Sequence, residues 1–342
     1  MKVIYSPDQQ KHDPSSFISS GRVTSSPECP ERADRFLAAV TDAGHEVLAP
    51  DRHGIAPVAA IHGVDYLHFL ETAHQRWSAL PNAGKEVIPN VHPGRHMTTR
   101  PDHIVGQAGF FMADTACPIG AGTWEAALAG ADCALTATDM VLATGQVAYA
   151  LCRPPGHHAY ADMAGGFCFL NNVAIAAQRA VAAGRRPAIL DVDIHHGNGT
   201  QGIFYSRGDV MNVSVHADPT NYYPFFCGYA AERGDGAGAG RNLNLPLAHG
   251  SGDDAYLDAI GRGLDAVQRF GADILLISLG LDPQENDPLG VLKVTTGGFR
   301  RAGARVAAAQ TATVIVQEGG YLCDELGANL AAFLDGFENG GA

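Results

Sequence analysis

Residues 188–196, Ala-Ile-Leu-Asp-Val-Asp-Ile-His-His, join two kinds of chemistry in one short stretch. The first three residues continue an apolar run of the sort that forms a strand buried on both faces of a parallel sheet. The six that follow contain two carboxylates, Asp191 and Asp193, and two imidazoles, His195 and His196. Carboxylate with imidazole is a ligand set for a borderline divalent metal. Open α/β sheets bind their ligands just beyond the carboxyl ends of the strands, which is where these groups fall.

Working outward, further β-type runs lie at 2–5, 147–151, 210–215, 242–245, 274–279 and 313–316. Helical spacing of apolar residues marks 30–43, 63–79, 124–143, 171–183, 253–270 and 298–309. This alternation predicts an α/β fold, a doubly wound parallel sheet with helices on both faces. No composition shift divides the chain, so residues 1–342 read as one domain. Its one irregular stretch is an inserted loop at about 80–105, rich in Pro, Gly, His and Arg. Loops of that length inside a compact domain usually serve an interface or an active-site rim.

Several strands carry reactive residues at the same end. His157 and His158 follow 147–151 through Arg153-Pro-Pro-Gly156, and Asp282 closes 274–281. Tyr321 follows 313–317 through Glu318-Gly-Gly320, and His216 with Asp218 closes 210–215. On an extended segment Asp193 and His195 face one side, with Asp191 one step behind. Three residues on a straight strand cannot all reach one ion, so two serve as ligands and the third stands behind them. Asp282 then supplies a third ligand. Two carboxylates and one imidazole neutralise a divalent cation and leave positions for water and a substrate oxygen. Zinc is the default, and iron(II) or cobalt(II) accept the same donors. The plainer alternative, a buried Asp193–His195 ion pair, leaves Asp282 and Tyr321 without a role. Tandem histidines beside a metal suit proton transfer. Cys152 and Cys168 flank them, but nothing nearby lowers a thiol pKa, which favours buried core cysteines over a nucleophile.

Bulk composition bounds the rest. A net charge of −13 disfavours nucleic acid as a partner and accords with a small cationic substrate. Seven cysteines without a CxxC pair are not a disulfide framework and fit a reducing, cytoplasmic setting. No signal-peptide pattern opens the sequence. No membrane partner is expected either, since the alanine-rich 125–143 segment carries Glu125, Asp132 and Asp139.

Five motifs in order carry a resemblance: Arg153-Pro-Pro-Gly-His-His-Ala159, Gly165-Gly-Phe-Cys-Phe-Leu-Asn-Asn172, Asp191-Val-Asp-Ile-His-His-Gly-Asn-Gly-Thr-Gln201, Ser278-Leu-Gly-Leu-Asp282 and Glu318-Gly-Gly-Tyr321. Together they resemble the motif series of the histone deacetylase superfamily from Met1 to about Phe337. Gly122-Thr-Trp-Glu-Ala126, His216-Ala-Asp-Pro219 and the 80–105 insertion look most like its bacterial acetylpolyamine amidohydrolase branch.

The resemblance implies an arginase-deacetylase fold with zinc on Asp193, His195 and Asp282. It implies His157 paired with Asp191, His158 as general base and acid, and Tyr321 on the substrate carbonyl. Gly166 would accept the scissile amide N–H, with Phe167 and Tyr223 as tunnel walls. Structural potassium would sit on Asp191, Asp193, His195, Ser214 and Val215, and again on Phe204, Arg207 and Val210. The expected substrates are small N-acetylated diamines such as acetylputrescine and acetylcadaverine, with a homodimer formed through the 80–105 loop. The runner-up is a broader deacylase acting on acetyl-lysine peptides or other N-acyl amides. Asn198 stands where several relatives carry an acidic partner for the second histidine, and Tyr223 where phenylalanine is common. Some polyamine deacetylases place glutamates beside the 80–105 loop for a distal ammonium. The 105–114 stretch offers only Asp114, with Asp102 just before it, and which residues bind that ammonium stays open. A ureohydrolase would want more bridging aspartates. A catalytically inactive ligand-binding or scaffold protein would not need the intact set.

Overall fold

Ten strands and ten α-helices alternate along residues 1–340, which the computed structural model describes. Strand β1 (Lys2–Ile4) precedes a hairpin of β2 (Ser16–Ser19) and β3 (Arg22–Ser25), helix α1 (Pro30–Asp42) and strand β4 (Glu46–Leu48). Helices α2 (Ala56–Ala59), α3 (Val64–Ser78), α4 (Ile104–Phe111) and α5 (Thr123–Thr144) lead to β5 (Ala148–Ala150). Then come α6 (Asn172–Ala182), β6 (Pro187–Asp191), α7 (Asn198–Phe204), β7 (Met211–Ala217) and β8 (Asn242–Leu247). The chain closes with α8 (Asp253–Phe270), β9 (Ile274–Leu279), α9 (Thr296–Ala307), β10 (Ala312–Gln317) and α10 (Leu326–Asn339).

Eight strands form one sheet in the order β4-β1-β5-β10-β9-β6-β7-β8, and every neighbouring pair is parallel. Because side chains alternate along each strand, the apolar runs split between two cores. Ile189, Leu276, Val314 and Val316 pack on one face with α3, α5 and α6. Ala188, Leu190, Leu275, Ile277 and Ile315 pack on the other with α1, α8, α9 and α10. Covering both faces is why β6, β9 and β10 read as continuous apolar runs. This is the single-domain, doubly wound architecture that the alternation of runs predicts.

Helix α5 is long and apolar enough to cross a membrane by length and composition, yet 72% of its most apolar window is buried inside the fold. Gly145, at φ 71°, ends it with the left-handed turn that glycine takes without strain. Some elements were not anticipated, while the expected insertion is irregular as read. The β2–β3 hairpin and β4 are short, and β2–β3 carries little apolar pattern. The C-terminal helix α10 follows the last strand and lies beyond the last predicted helix, at 298–309. Residues 88–103 of the expected insertion are irregular and mostly exposed, tied at their start by a bridge between Val87 and Ile119.

Candidate active site

The carboxyl ends of β5, β6, β7, β9 and β10 converge. Ligand atoms of Asp193, His195 and Asp282 lie within 4.8 Å of one another, and all three residues are buried. His195 Nδ1 stands 3.2 Å from Asp193 Oδ1 and 3.1 Å from Asp282 Oδ2. Its other nitrogen, Nε2, is 2.9 Å from the hydroxyl of Tyr222, which itself donates to the carbonyl of Leu289. The tyrosine proton being spent on that carbonyl, Nε2 must donate, and the lone pair is left on Nδ1, facing the carboxylates.

The remaining carboxylate lone pairs are fixed by the backbone. Asp193 accepts from the N–H groups of His195 and Gly319, both at 2.8 Å, and Asp282 accepts from Ile194 at 3.0 Å. Burial opposes charge on Asp193, but His157 and His195 outweigh it and hold this carboxyl low. Burial likewise disfavours a charged His195, yet Asp193 and Asp282 raise it to about 9. The pocket therefore draws positive charge to His195 Nδ1, and a divalent cation would replace that proton. Donor chemistry, tautomer and electrostatics all fit a metal held by these three residues.

Asp191 stands behind the trio. Its Oδ2 lies 2.9 Å from His157 Nδ1, and its Oδ1 accepts from the N–H of Asp193 at 3.1 Å. Burial alone would lower His157, but Asp193 and Asp191 raise it well above the ordinary histidine range. His158, whose ring centre is 4.0 Å from that of His157, is shifted the other way, by burial and by the charges of His157 and His195. Its Nδ1 is 2.6 Å from Asn198 Oδ1, and Asn198 Nδ2 donates to the Tyr160 hydroxyl at 3.2 Å. That orientation puts the proton of a neutral His158 on Nδ1 and leaves Nε2 bare. Two adjacent histidines are thus shifted in opposite directions, because carboxylates favour charge on His157 while burial and its cationic neighbours oppose it on His158.

The histidine loop and the tyrosine loop are held from below. Glu318 Oε2 accepts from the N–H groups of Gly156 at 2.6 Å and His157 at 3.0 Å. Burial lifts Glu318 to about 7 against the pull of His157. Arg32 donates to the carbonyls of Glu318 at 2.7 Å and Gly320 at 2.6 Å, with its guanidinium 4.8 Å from the centre of the Tyr321 ring. The Tyr321 N–H donates to Asp287 Oδ2 at 2.7 Å. Burial, together with Asp282, raises Asp287 to about 7. Asn171 caps α6 and donates Nδ2 to the carbonyl of Ala159, fastening the histidine loop to that helix.

A pocket of about 420 Å³ opens above these groups, with His158, His195 and Tyr321 at its base. Phe167, Tyr222 and Tyr223 wall one part, and Phe17 and Ile18 of the hairpin another. Gly166 lines it at φ 51°; a Cβ there would meet the His158 ring at 2.5 Å, so only glycine fits. Burial keeps the hydroxyls of Tyr321 and Tyr223 neutral, their pKa values pushed well above the ordinary tyrosine value. Asp114 is the one carboxylate on the wall: it accepts from the Tyr223 hydroxyl at 2.7 Å and from the N–H groups of Gly166 at 3.1 Å and Ala116 at 2.8 Å.

Ser214 sits beside Asp191 in the β6–β7 pairing, and its hydroxyl is 2.8 Å from His216 Nδ1. Phe204 ends α7, Val210 precedes β7, and the Phe204 carbonyl accepts from Arg207 N–H at 3.0 Å. Asp102 lies on the exposed rim near Arg76, away from the pocket. Sequence reasoning missed Tyr222, Asp287, the hairpin wall and the Arg32 support. Of these, only Ser20-Gly21, a turn signal between apolar residues, could have announced the hairpin.

Residues 26–337 match the histone deacetylase domain, and the chain belongs to that family. It is a metal-dependent deacetylase that hydrolyses an amide bond. Over 338 residues it is 47% identical to the acetylpolyamine amidohydrolase of Burkholderia pseudomallei (strain 1710b), covering 98% of each chain. It is 43% identical over 339 residues to the acetylpolyamine amidohydrolase of Mycoplana ramosa, covering 98% of this chain and 99% of that one. A crystal structure of acetylpolyamine aminohydrolase from Burkholderia pseudomallei superposes with a TM-score of 0.96 at 47% identity, covering 99% of both chains.

Proposed function

We propose that this chain is a zinc-dependent amidohydrolase that removes acetyl groups from small N-acetylated diamines and polyamines, such as acetylputrescine and acetylcadaverine. The observation that carries this reading is the pocket: an aromatic-walled cavity with proton-transfer groups at its base and one carboxylate, Asp114, on its wall. The donors to Asp114 are neutral dipoles, so its negative charge remains available to an ammonium group. Relatives named for acetylpolyamine hydrolysis match over the full length, which supports the same substrate class here.

Asp193, His195 and Asp282 would hold the metal. When bound, it supplies Lewis-acid polarisation of the acyl carbonyl and acidifies water. The Tyr321 hydroxyl, kept protonated by burial, donates to the carbonyl oxygen as negative charge develops there. His158, neutral and bare at Nε2, takes the proton of the attacking water and hands one to the departing amine. His157, held toward its charged form by Asp193 and Asp191, adds a positive field beside it. The carbonyl of Gly166 receives the amide N–H, and Phe167 and Tyr223 confine the acyl-amine chain.

Potassium on Asp191, Asp193, His195, Ser214 and Val215, and on Phe204, Arg207 and Val210, would brace the loops behind the metal. A rise in melting temperature in KCl over choline chloride checks this. The 80–105 segment, with Val91 and Met97 exposed, would join two copies and narrow the pocket mouth. Free thiols throughout accord with a cytoplasmic location.

The deciding assay compares kcat/KM for acetylputrescine, acetylcadaverine and an acetyl-lysine peptide, in wild type and Asp114→Asn. The expected result is preference for the diamines, reduced by Asp114→Asn through KM. Preference for the peptide would favour the broader deacylase and overturn the polyamine reading.

A further inference from the structure

At the amino ends of β7 and β8, the far end of the strands from the active site, lies a second pocket of about 560 Å³. Arg233, Arg241, Arg262 and Arg269 all line it, against one carboxylate, Asp265. This concentration stands out in a chain with 23 basic and 36 acidic residues. Nearby arginines find acids: Arg207 pairs with Asp209 at 2.7 Å and Arg185 with Asp273 at 3.1 Å. Among the described residues, none of the four pocket arginines has an acid within 4.0 Å. Arg241 is also pre-oriented: its guanidinium lies 5.0 Å from the centre of the Phe270 ring, on which Arg186 stacks at 4.1 Å. Stacking fixes the guanidinium plane and leaves its N–H edge free for an anion.

We propose that this pocket binds a small ligand through a chain of two or more phosphoryl groups. Arginine forks match phosphate oxygens in paired hydrogen bonds. Arg262 and Arg269 are seven residues apart on one face of α8, about 10 Å along its axis, so a linear di- or triphosphate fits the spread better than one phosphate. The two guanidiniums beside Phe270 leave that ring buried, so no aromatic platform awaits a nucleobase. Recognition therefore rests on the phosphates, and inorganic tripolyphosphate and a nucleoside triphosphate bind alike. The competing explanation is that the arginines only guard the open edge of β8 against pairing with other sheets; it predicts no anion affinity.

Isothermal titration of the metal-loaded full chain with sodium tripolyphosphate, ATP and orthophosphate, at about 0.15 M salt, tests this. Tripolyphosphate and ATP are expected to saturate with similar affinity, and orthophosphate to bind about tenfold more weakly or worse. Arg262→Ala/Arg269→Ala, and separately Arg233→Ala on a different segment, should each weaken both ligands while leaving acetyl-amine hydrolysis unchanged. Polyphosphates also sequester metal, and the double variant, with its metal residues intact, reports that heat as background. No saturable binding, or equal binding in the double variant, overturns the proposal. ATP binding far more tightly than tripolyphosphate overturns recognition by phosphate alone.

Discussion

Replacing Glu28 with glutamine removes one charge from a fully buried ion cluster. Glu28 Oε1 lies 2.9 Å from Arg32 Nη1 and 2.9 Å from Arg153 Nε, and its Oε2 is 3.1 Å from Arg153 Nη2. The Arg153 Nε–H is not aimed at the carboxylate, so the directed bond comes from Nη2. Exposure is 0% for Glu28 and 1% for each arginine. Burial opposes charge on Glu28, but Arg153, then His12 and Arg32, hold its carboxyl far below the ordinary range. Glutamine keeps the shape and leaves two buried guanidiniums without an anion, a loss of about 3–5 kcal/mol. With an unfolding entropy of about 2.1 cal/mol/K per residue, that lowers the melting temperature by about 4–7 °C.

The same change loosens catalysis, because Arg32 holds the loop before Tyr321 and Arg153 begins the loop before His157. A kcat loss of about tenfold or more is expected at intact metal content. The sign with pH follows from the depressed carboxyl: its contribution is full above the unfolded glutamate range and is lost progressively as pH falls from that range toward the folded value. His12, 3.3 Å from Glu28, is lowered by burial and titrates below pH 7, so calorimetry at pH 7 to 8 should give a constant difference between wild type and Glu28→Gln. Melting within about 1 °C of wild type would refute the uncompensated-charge reasoning.

Three further outcomes are expected. Tyr321→Phe lowers kcat by about 10²–10³ with little change in KM, as steady-state kinetics can show. Tyr222→Phe frees His195 Nε2 from its acceptor and weakens metal retention about 10–100-fold, read by chelator competition. His62, pushed down to about 4 by burial, stays neutral in the fold. Above about pH 6.5 it has no effect on stability; between there and 4 the unfolded chain takes a proton the native state refuses, costing up to about 3 kcal/mol. His62→Gln, able to keep an acceptor for the Asn171 N–H, should flatten that acid slope in denaturant titrations.

The central sheet was legible because its strands are buried on both faces, so each becomes an uninterrupted apolar run. His157, His158, Asp191, Asp193, His195, Asp282 and Tyr321 could be gathered from sequence because each follows such a run directly or after a short loop. Tyr222 was not legible: its hydroxyl matters through a carbonyl at Leu289, 67 residues away, and nothing local marks that contact. Glu28 and Arg32 look like an ordinary i, i+4 surface pair at a helix start; only folding buries them beneath two loops. The pocket wall at Phe17 escaped for a different reason, since hairpins with polar, exposed faces carry little periodic signal.

That hairpin is also separable from the rest of the fold. Strands β2 and β3 pair only with each other, over four residue pairs, and take no part in the eight-stranded sheet. Phe17 reaches the pocket and packs edge-on to Phe167 at 5.5 Å, yet the cores beneath the sheet do not depend on it. Mutations there can reshape the entrance at little cost to folding. Substrate access can thus be rewritten in an appendage while the reaction centre stays untouched, and a library confined to residues 16–25 is the economical place to redirect this enzyme.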